Sequence, residues 1–454
     1  MIMQQTIMEL GKRIPLNIKK LGINGEGIGY YNKNIVFVKG ALIGEEIYCE
    51  LTKVGGNFSE AKILKIHKRS KHRVQPPCPV YEECGGCQLQ HMTYASQLVA
   101  KKHVINQALN KYVAKLAPKV TVKNTIGMQD PWKYRNKSQF QVRKPGNQVM
   151  AGLFVENSQK LLDIDNCLVQ HPMTTIVTNA AKKMIADLDI PIYDGRSNQG
   201  IIRTIVVRVG VNTNEVQLVI ITNQKNFPNK RVLFDQLATI DESIVSIVHN
   251  VNPNDSSLIF GENTYVMSGK ETIHEELGEF AFDLSARAFF QLNPTQTVNL
   301  YDEIAKAAAL TGEETVVDAY CGVGTIGMWL AEDAKEVRGM DIVADSIQNA
   351  KNHGIEHAIY ETGSAETWLA QWSEEGFVPD VLTVDPPRTG LAQSLIDTIL
   401  TVKPKRFVYT SCNPSTLAKD LAQLTAAYTI EYIQPIDMFP QTAHVESVTL
   451  LTLK

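Results

Sequence analysis

Val316–Gly327, VVDAYCGVGTIG, is the stretch that decides the fold: an apolar run ends at Asp318, and a glycine turn leads from it into a helical pattern. Gly322, Gly324 and Gly327 satisfy the glycine spacing of a dinucleotide-binding turn. That spacing does not separate one nucleotide cofactor from another. Asp318 does, because a carboxylate at the strand end meets the cationic amino-acid tail of S-adenosylmethionine and repels a pyrophosphate. The next apolar run, EVRGMD, ends at Asp341, a partner for ribose hydroxyls. Taken alone, Asp341 reads equally well as a helix cap or turn residue.

Downstream, DVLTVDPPR, RFVYTSCNP and SVTLLTL are further strand candidates, and helical stretches such as QTVNLYDEIAKAAAL and SLIDTILTV separate most of them. Alternation of this kind predicts a mainly parallel, doubly wound sheet over residues 285–454, with ligands at the carboxyl ends of its strands. Cys412 sits at such an end. A lone cysteine after a strand is more often a small inert hydrophobe. Here Asp385 ends a neighbouring strand, stiffened by Pro386-Pro387, and a carboxylate in that place can orient a planar base or a methyl donor. Glu446, at the entry to the last strand in an apolar setting, is a candidate base whose burial would raise its pKa, and His444 is the alternative.

Toward the N-terminus, residues 9–66 read as short strands between glycines, a small closed barrel. Lys62–Arg73, KILKIHKRSKHR, carries six Lys and Arg and no acid, and is either a solvated linker or an RNA-facing patch. An amphipathic helix is predicted over about 93–113, with Thr93 as its cap. RTIVVRVGV and EVQLVIITN, joined through Asn212-Thr213-Asn214, predict a hairpin in an α+β region. The domains expected are thus 1–68, 69–284 and 285–454. Cys78, Cys84 and Cys87 in CPVYEECGGC, with Cys167 as a fourth thiol, suit zinc or an iron-sulfur cluster. Cys49 and Cys321 read as inert.

The composition, 44% hydrophobic and 20% charged, is that of a globular chain, and no apolar run is long enough to span a membrane. MIMQQTIMELGKR lacks the pattern of a secretory leader, so a cytoplasmic location is expected. In that reducing compartment clustered cysteines imply metal or catalysis rather than disulfides. A net charge of −3 argues against wholesale nucleic-acid binding and leaves local basic patches to carry it.

Together VDAYCGVGTIG, VDPPR, TSCNP and HVES, with FFQLNPTQ upstream, resemble the RNA 5-methyluridine methyltransferases over nearly the whole chain. The resemblance implies S-adenosylmethionine contacts at Gln291, Tyr320, Asp341 and Asp385, a nucleophile at Cys412, a base at Glu446, and an aromatic contact to the target base at Phe289. Many members carry Glu where Asp341 stands. The implied chemistry is addition of the thiolate to carbon 6 of a flipped-out uridine, which makes carbon 5 electron-rich enough to take a methyl group. The N-terminal barrel resembles the TRAM module, an OB-like RNA-binding fold, with Tyr30, Tyr31 and Lys33 on its candidate face. Barrel and cysteines together resemble the 23S ribosomal-RNA branch, which implies a [4Fe-4S] cluster, with zinc the alternative, and a monomer acting on 23S RNA. Four cysteines would close the cluster site and leave no open iron for radical chemistry. Competing readings are a transfer-RNA uridine-5 or RNA cytosine-5 methyltransferase, and a noncatalytic RNA-binding assembly factor.

Overall fold

The computed structural model describes residues 8–156, 158–254 and 258–454, so the start of the stretch examined for a leader lies outside the described residues. Two compact units result, one built from residues 8–75, 91–129 and 299–454, the other from 76–90 and 130–298.

In the first unit, strands Arg13–Leu21, Gly27–Tyr31, Asn34–Val38, Phe58–Lys68 and Glu46–Val54 close in that order into a barrel. Alternate residues Ile14, Leu16 and Ile18 point inward with Val36, Val38, Ile47 and Leu51. Gly29 is required where the first two strands pair: a Cβ there would lie 2.6 Å from Leu16 Cγ and 2.8 Å from the Asn17 carbonyl oxygen. Asn32 and Lys33 turn the following hairpin with φ of 48° and 67°. Part of the basic run is therefore strand rather than linker. Lys62 pairs with Glu50 at 2.7 Å, and Arg73 grips the buried Glu45 through Nε at 2.6 Å and Nη2 at 2.7 Å. Lys65, Arg69 and Lys71 remain exposed.

The same unit holds an eight-stranded sheet, in the order Ala358–Thr362, Glu336–Asp341, Thr315–Ala319, Val381–Val384, Arg406–Ser411, Glu446–Leu453, Tyr428–Ile436 and Thr121–Val122. The first five strands are parallel, as predicted; Glu446–Leu453 runs antiparallel to both neighbours. Ala358–Thr362, Tyr428–Ile436 and Thr121–Val122 were absent from the sequence reading. Their mixed polarity hides a strand pattern that pairing with neighbours makes good.

The amphipathic helix runs Tyr94–Tyr112. Sequence order put it in the segment 69–284, but its Ile105, Ala108 and Leu109 bury in the core of the large sheet, beside Leu417 and Leu421 of helix Pro414–Leu424. Thr93 precedes the helix without a side-chain cap bond. Hydrophobic burial, which ignores chain order, decides the helix's place.

The second unit centres on seven strands, Asn263–Gly269, Ile244–Val251, Val216–Thr222, Ile202–Val209, Lys137–Arg143, Met150–Phe154 and Leu161–Asp163, in that order. Ile202–Val209 and Val216–Thr222 form the predicted antiparallel hairpin, and Asn214 adopts φ 60° in its turn. Helices Pro172–Asp187 and Lys230–Leu237 cover one face. Among the described residues no helix is long and apolar enough to cross a membrane.

Candidate active site

Strand Thr315–Ala319 delivers Asp318, fully buried, to the glycine turn. Its Oδ2 accepts the Gly327 N–H at 2.9 Å, while Oδ1 is buried with no hydrogen-bond partner among the described residues. Burial, reinforced by Asp385 and Asp341, pushes the Asp318 carboxyl up to about 8. The chain then enters the left-handed region at Tyr320, Gly322 and Gly324, with φ of 62°, 56° and 82°. A tyrosine in that region stores strain of about 1–3 kcal/mol, the kind of outlier found at ligand clamps. Asp341 braces the turn from the next strand, accepting the Gly322 N–H at 3.1 Å and the Val343 N–H at 2.8 Å. Beside it Ile342 is 75% exposed.

Cys412 follows strand Arg406–Ser411 and is half-buried, not sealed in the core. Asn413 fixes its turn: Oδ1 accepts the Ser415 N–H at 3.0 Å as the cap of helix Pro414–Leu424, and Nδ2 donates to the Arg388 carbonyl at 2.9 Å. The loop beyond Asp385 is thereby clamped to the thiol. Burial raises the Cys412 thiol, Glu446 and Asp385 add to the rise, and Arg388 opposes it. All three lie within electrostatic reach of the thiol.

Glu446 is the first residue of its strand, and the adjacent Ser447 pairs with Ser411, which sets it beside the Cys412 turn. Burial, then Asp385, push its carboxyl up to about 8, with Arg388 and Lys101 opposing. Desolvation likewise lifts Asp385 to about 7. His444 is exposed by contrast, its ring 3.4 Å from Arg388 Nη2. Asp318, Asp385 and Glu446, three carboxyls with raised pKa values carried by or next to strands of one sheet, suit a cation, and a sulfonium bearing an amino-acid tail fits that demand.

Arg388, Asn413 and Lys101 carried no role in the sequence reading. Lys101 is buried in an ion pair with Asp437, and its Nζ also donates to the Phe439 carbonyl at 3.1 Å. Tyr94 reaches the other Asp437 oxygen at 2.9 Å. Gln97 and Lys101, four residues apart on the buried helical face, were the available signal.

Phe289 and Gln291 are carried by the second unit, between strand Phe280–Leu284 and helix Pro294–Ala308. Phe289 is 71% exposed, and the Gln291 carbonyl accepts from Asn136 Nδ2 at 3.1 Å. The same unit holds Cys78, Cys84, Cys87 and Cys167, all part-buried. Among the described residues no group of three or more His, Cys, Asp or Glu is arranged to hold a metal ion, so the expected metal has no formed ligand set here. The thiols nonetheless share a neighbourhood. Burial pushes Cys87 up to about 12, with smaller contributions from Cys167, Cys84 and Cys78. A backbone N–H also points at one of the sulfurs, Gly86 at Cys84 at 3.4 Å, while the Gln170 N–H donates to the Cys167 carbonyl at 3.2 Å. Cys49 is sealed in the barrel, its thiol lifted to about 11 by burial, and Cys321 is buried beside the glycine turn.

Comparison with known proteins agrees with this architecture. Residues 8–64 match the TRAM domain and residues 368–454 match the tRNA (uracil-5-)-methyltransferase family. An uncharacterized RNA methyltransferase of Listeria monocytogenes is 54% identical over 100% of both chains, and one of Bacillus anthracis 52% identical over 98% of both. Among solved structures, the tRNA (uracil-54, C5)-methyltransferase of Pyrococcus abyssi in complex with S-adenosyl-L-homocysteine superposes with a TM-score of 0.75. It is 28% identical, over 96% of this chain and 99% of that one.

Proposed function

We propose, from the premise that this chain belongs to the RNA uracil-5-methyltransferase family, that it methylates carbon 5 of a uridine in 23S ribosomal RNA through a covalent bond to Cys412. The observation that carries the reading is placement: Asp385 and Cys412 follow two paired parallel strands at their carboxyl ends, Glu446 opens the strand paired with Ser411, and Asn413 bonds the Arg388 carbonyl. A transfer-RNA target is the second reading, favoured by the names of the matching family and of the Pyrococcus relative. The barrel together with the four cysteines supports the ribosomal one.

Carbon 5 of uracil is a poor nucleophile, because the ring carbonyl withdraws its electrons. The Cys412 thiolate adds to carbon 6 and leaves an enolate whose carbon 5 is electron-rich. S-adenosylmethionine supplies, when bound, an electrophilic methyl group and a positive charge. Glu446 takes the proton from the methylated carbon 5, and the electron pair of that C–H bond restores the double bond as Cys412 departs as thiolate. Arg388 favours the thiolate. Asp385 orients the uracil edge or the donor, and Asp341 engages ribose hydroxyls with Tyr320 beside it; on the second unit, the family resemblance gives Gln291 a cofactor-binding role and Phe289 a base-stacking one. Ile342 offers its exposed face to the adenine.

The four cysteines are all soft thiols, with a backbone N–H donor aimed at Cys84, a donor set that suits a [4Fe-4S] cluster of structural or RNA-positioning role, with zinc the alternative. A monomer in the cytoplasm, with Tyr30, Tyr31, Lys33, Lys65, Arg69 and Lys71 facing RNA, completes the reading.

The test is transfer of a labelled methyl group from S-adenosylmethionine to unmodified total RNA, followed by nucleoside analysis and primer extension. Label in 5-methyluridine of 23S RNA is expected. Label in transfer RNA or in 5-methylcytidine selects a competing enzyme, and unchanged transfer by Cys412→Ala ends the covalent mechanism.

A further inference from the structure

The second unit carries cations that the chemistry above does not use. Lys137 and Arg208 stand directly opposite one another in the antiparallel pair of Lys137–Arg143 with Ile202–Val209. Phe140, Val207 and Val209 take the helix-covered face of that sheet, so alternation sends Lys137 and Arg208 to the other face with Val206. Like charges directly opposed across a ladder repel, and such a pair persists only where something offsets it.

Carboxylates do not offset this one. Arg208 is 3% exposed and spends its guanidinium on the carbonyls of Ser285, at 3.3 Å, and Ala288. Neither Lys137 nor Arg135 has a side-chain hydrogen bond or ion pair among the described residues. Burial, then Arg208 and Arg135, push the Lys137 ammonium down to about 7, the signature of a cation short of negative charge.

These cations share one support with the exposed ring of Phe289. Arg208 holds Ala288, the residue before it, and Asn136, between Arg135 and Lys137, holds the chain after it through the carbonyls of Gln291 at 3.1 Å and Leu292 at 3.0 Å. An aromatic face beside a cationic pocket is how single-stranded RNA is gripped, base on ring and phosphate on cation.

We propose that Arg135, Lys137 and Arg208 form an anion site that receives a backbone phosphate of the RNA flanking the base at Phe289. The site rests on the RNA substrate inferred above and adds to it a phosphate subsite on the second unit. Arg208 props the loop, so the test falls on Lys137.

Binding of an unmodified 23S RNA transcript to the full-length protein is measured at several salt concentrations for wild type, Lys137→Met and Lys137→Arg. Loss of one phosphate contact lowers the slope of log affinity against log salt by about 0.7–0.9. That drop is expected for Lys137→Met, with the slope restored in Lys137→Arg. Inorganic phosphate at millimolar levels should weaken wild-type binding more than it weakens Lys137→Met. An unchanged slope in Lys137→Met overturns the site, as does weaker binding at constant slope, which would mark lost packing. If the wild type itself neither binds nor methylates the transcript, the RNA assignment falls and the phosphate site with it.

Discussion

Glu446 lies within electrostatic reach of Asp385, and both carboxyls stand well above the usual carboxylate range because burial penalises their ionised forms. Two acids whose protonated forms are favoured near a thiol form a resting site that accommodates positive charge. A bound cation would lower both pKa values together, arming Glu446 as a base only once the donor is in place.

The first prediction concerns pH. A carboxyl raised from 4.5 to about 8 on folding makes the native state bind more protons than the unfolded chain between those values, so stability falls as pH rises through that window. Thermal melts of the cofactor-free protein should show Tm decreasing from about pH 5 to about pH 8, with the slope reduced in Asp385→Asn. S-adenosylmethionine should raise Tm more at the alkaline end. A flat profile would mean that these groups are already charged.

Glu446→Gln should slow turnover by about 10²–10⁴-fold, the range for loss of a positioned base. Because the step it blocks follows carbon–sulfur bond formation, a protein–RNA adduct should accumulate. It is visible as a slow band on a denaturing gel and absent from the Cys412→Ala, Glu446→Gln double variant. Cys412→Ala alone should lose about 10³-fold or more while still binding RNA.

Asn413→Ala removes both a helix cap and the clamp on the Arg388 carbonyl. A cap of this type is worth about 1 kcal/mol. Denaturant melts should show that loss, and kcat should fall further than stability explains, because the loop that carries Asp385 and Arg388 loses its register with Cys412.

Lys101→Met strands Asp437 in the core, a change that costs about 3–5 kcal/mol when a buried pair is broken from one side. Lys101→Met combined with Asp437→Asn should regain a good part of it. The comparison is made by denaturant unfolding monitored by far-UV circular dichroism.

Protein purified without oxygen should show the broad visible absorption of an iron-sulfur centre, which zinc, with its filled d shell, lacks. Cys87→Ser should abolish it and leave S-adenosylmethionine affinity unchanged, since the thiols and the glycine turn belong to different units.

Local pattern carried much of this protein in the sequence by itself. Strand, glycine turn and helix around Asp318, the short inward-alternating strands of the barrel, and the thiol at a strand end are set by neighbours within a dozen residues, and they were legible as such. The tertiary structure alone decided what depends on burial between distant segments. Helix Tyr94–Tyr112 joined the large sheet because its apolar stripe found a core there. Lys101 met Asp437 across 336 positions, and Arg388 came to Cys412 through Asn413. Desolvation gave Glu446 and Asp385 their raised pKa values, and desolvation is a property of packed surroundings that no run of letters contains.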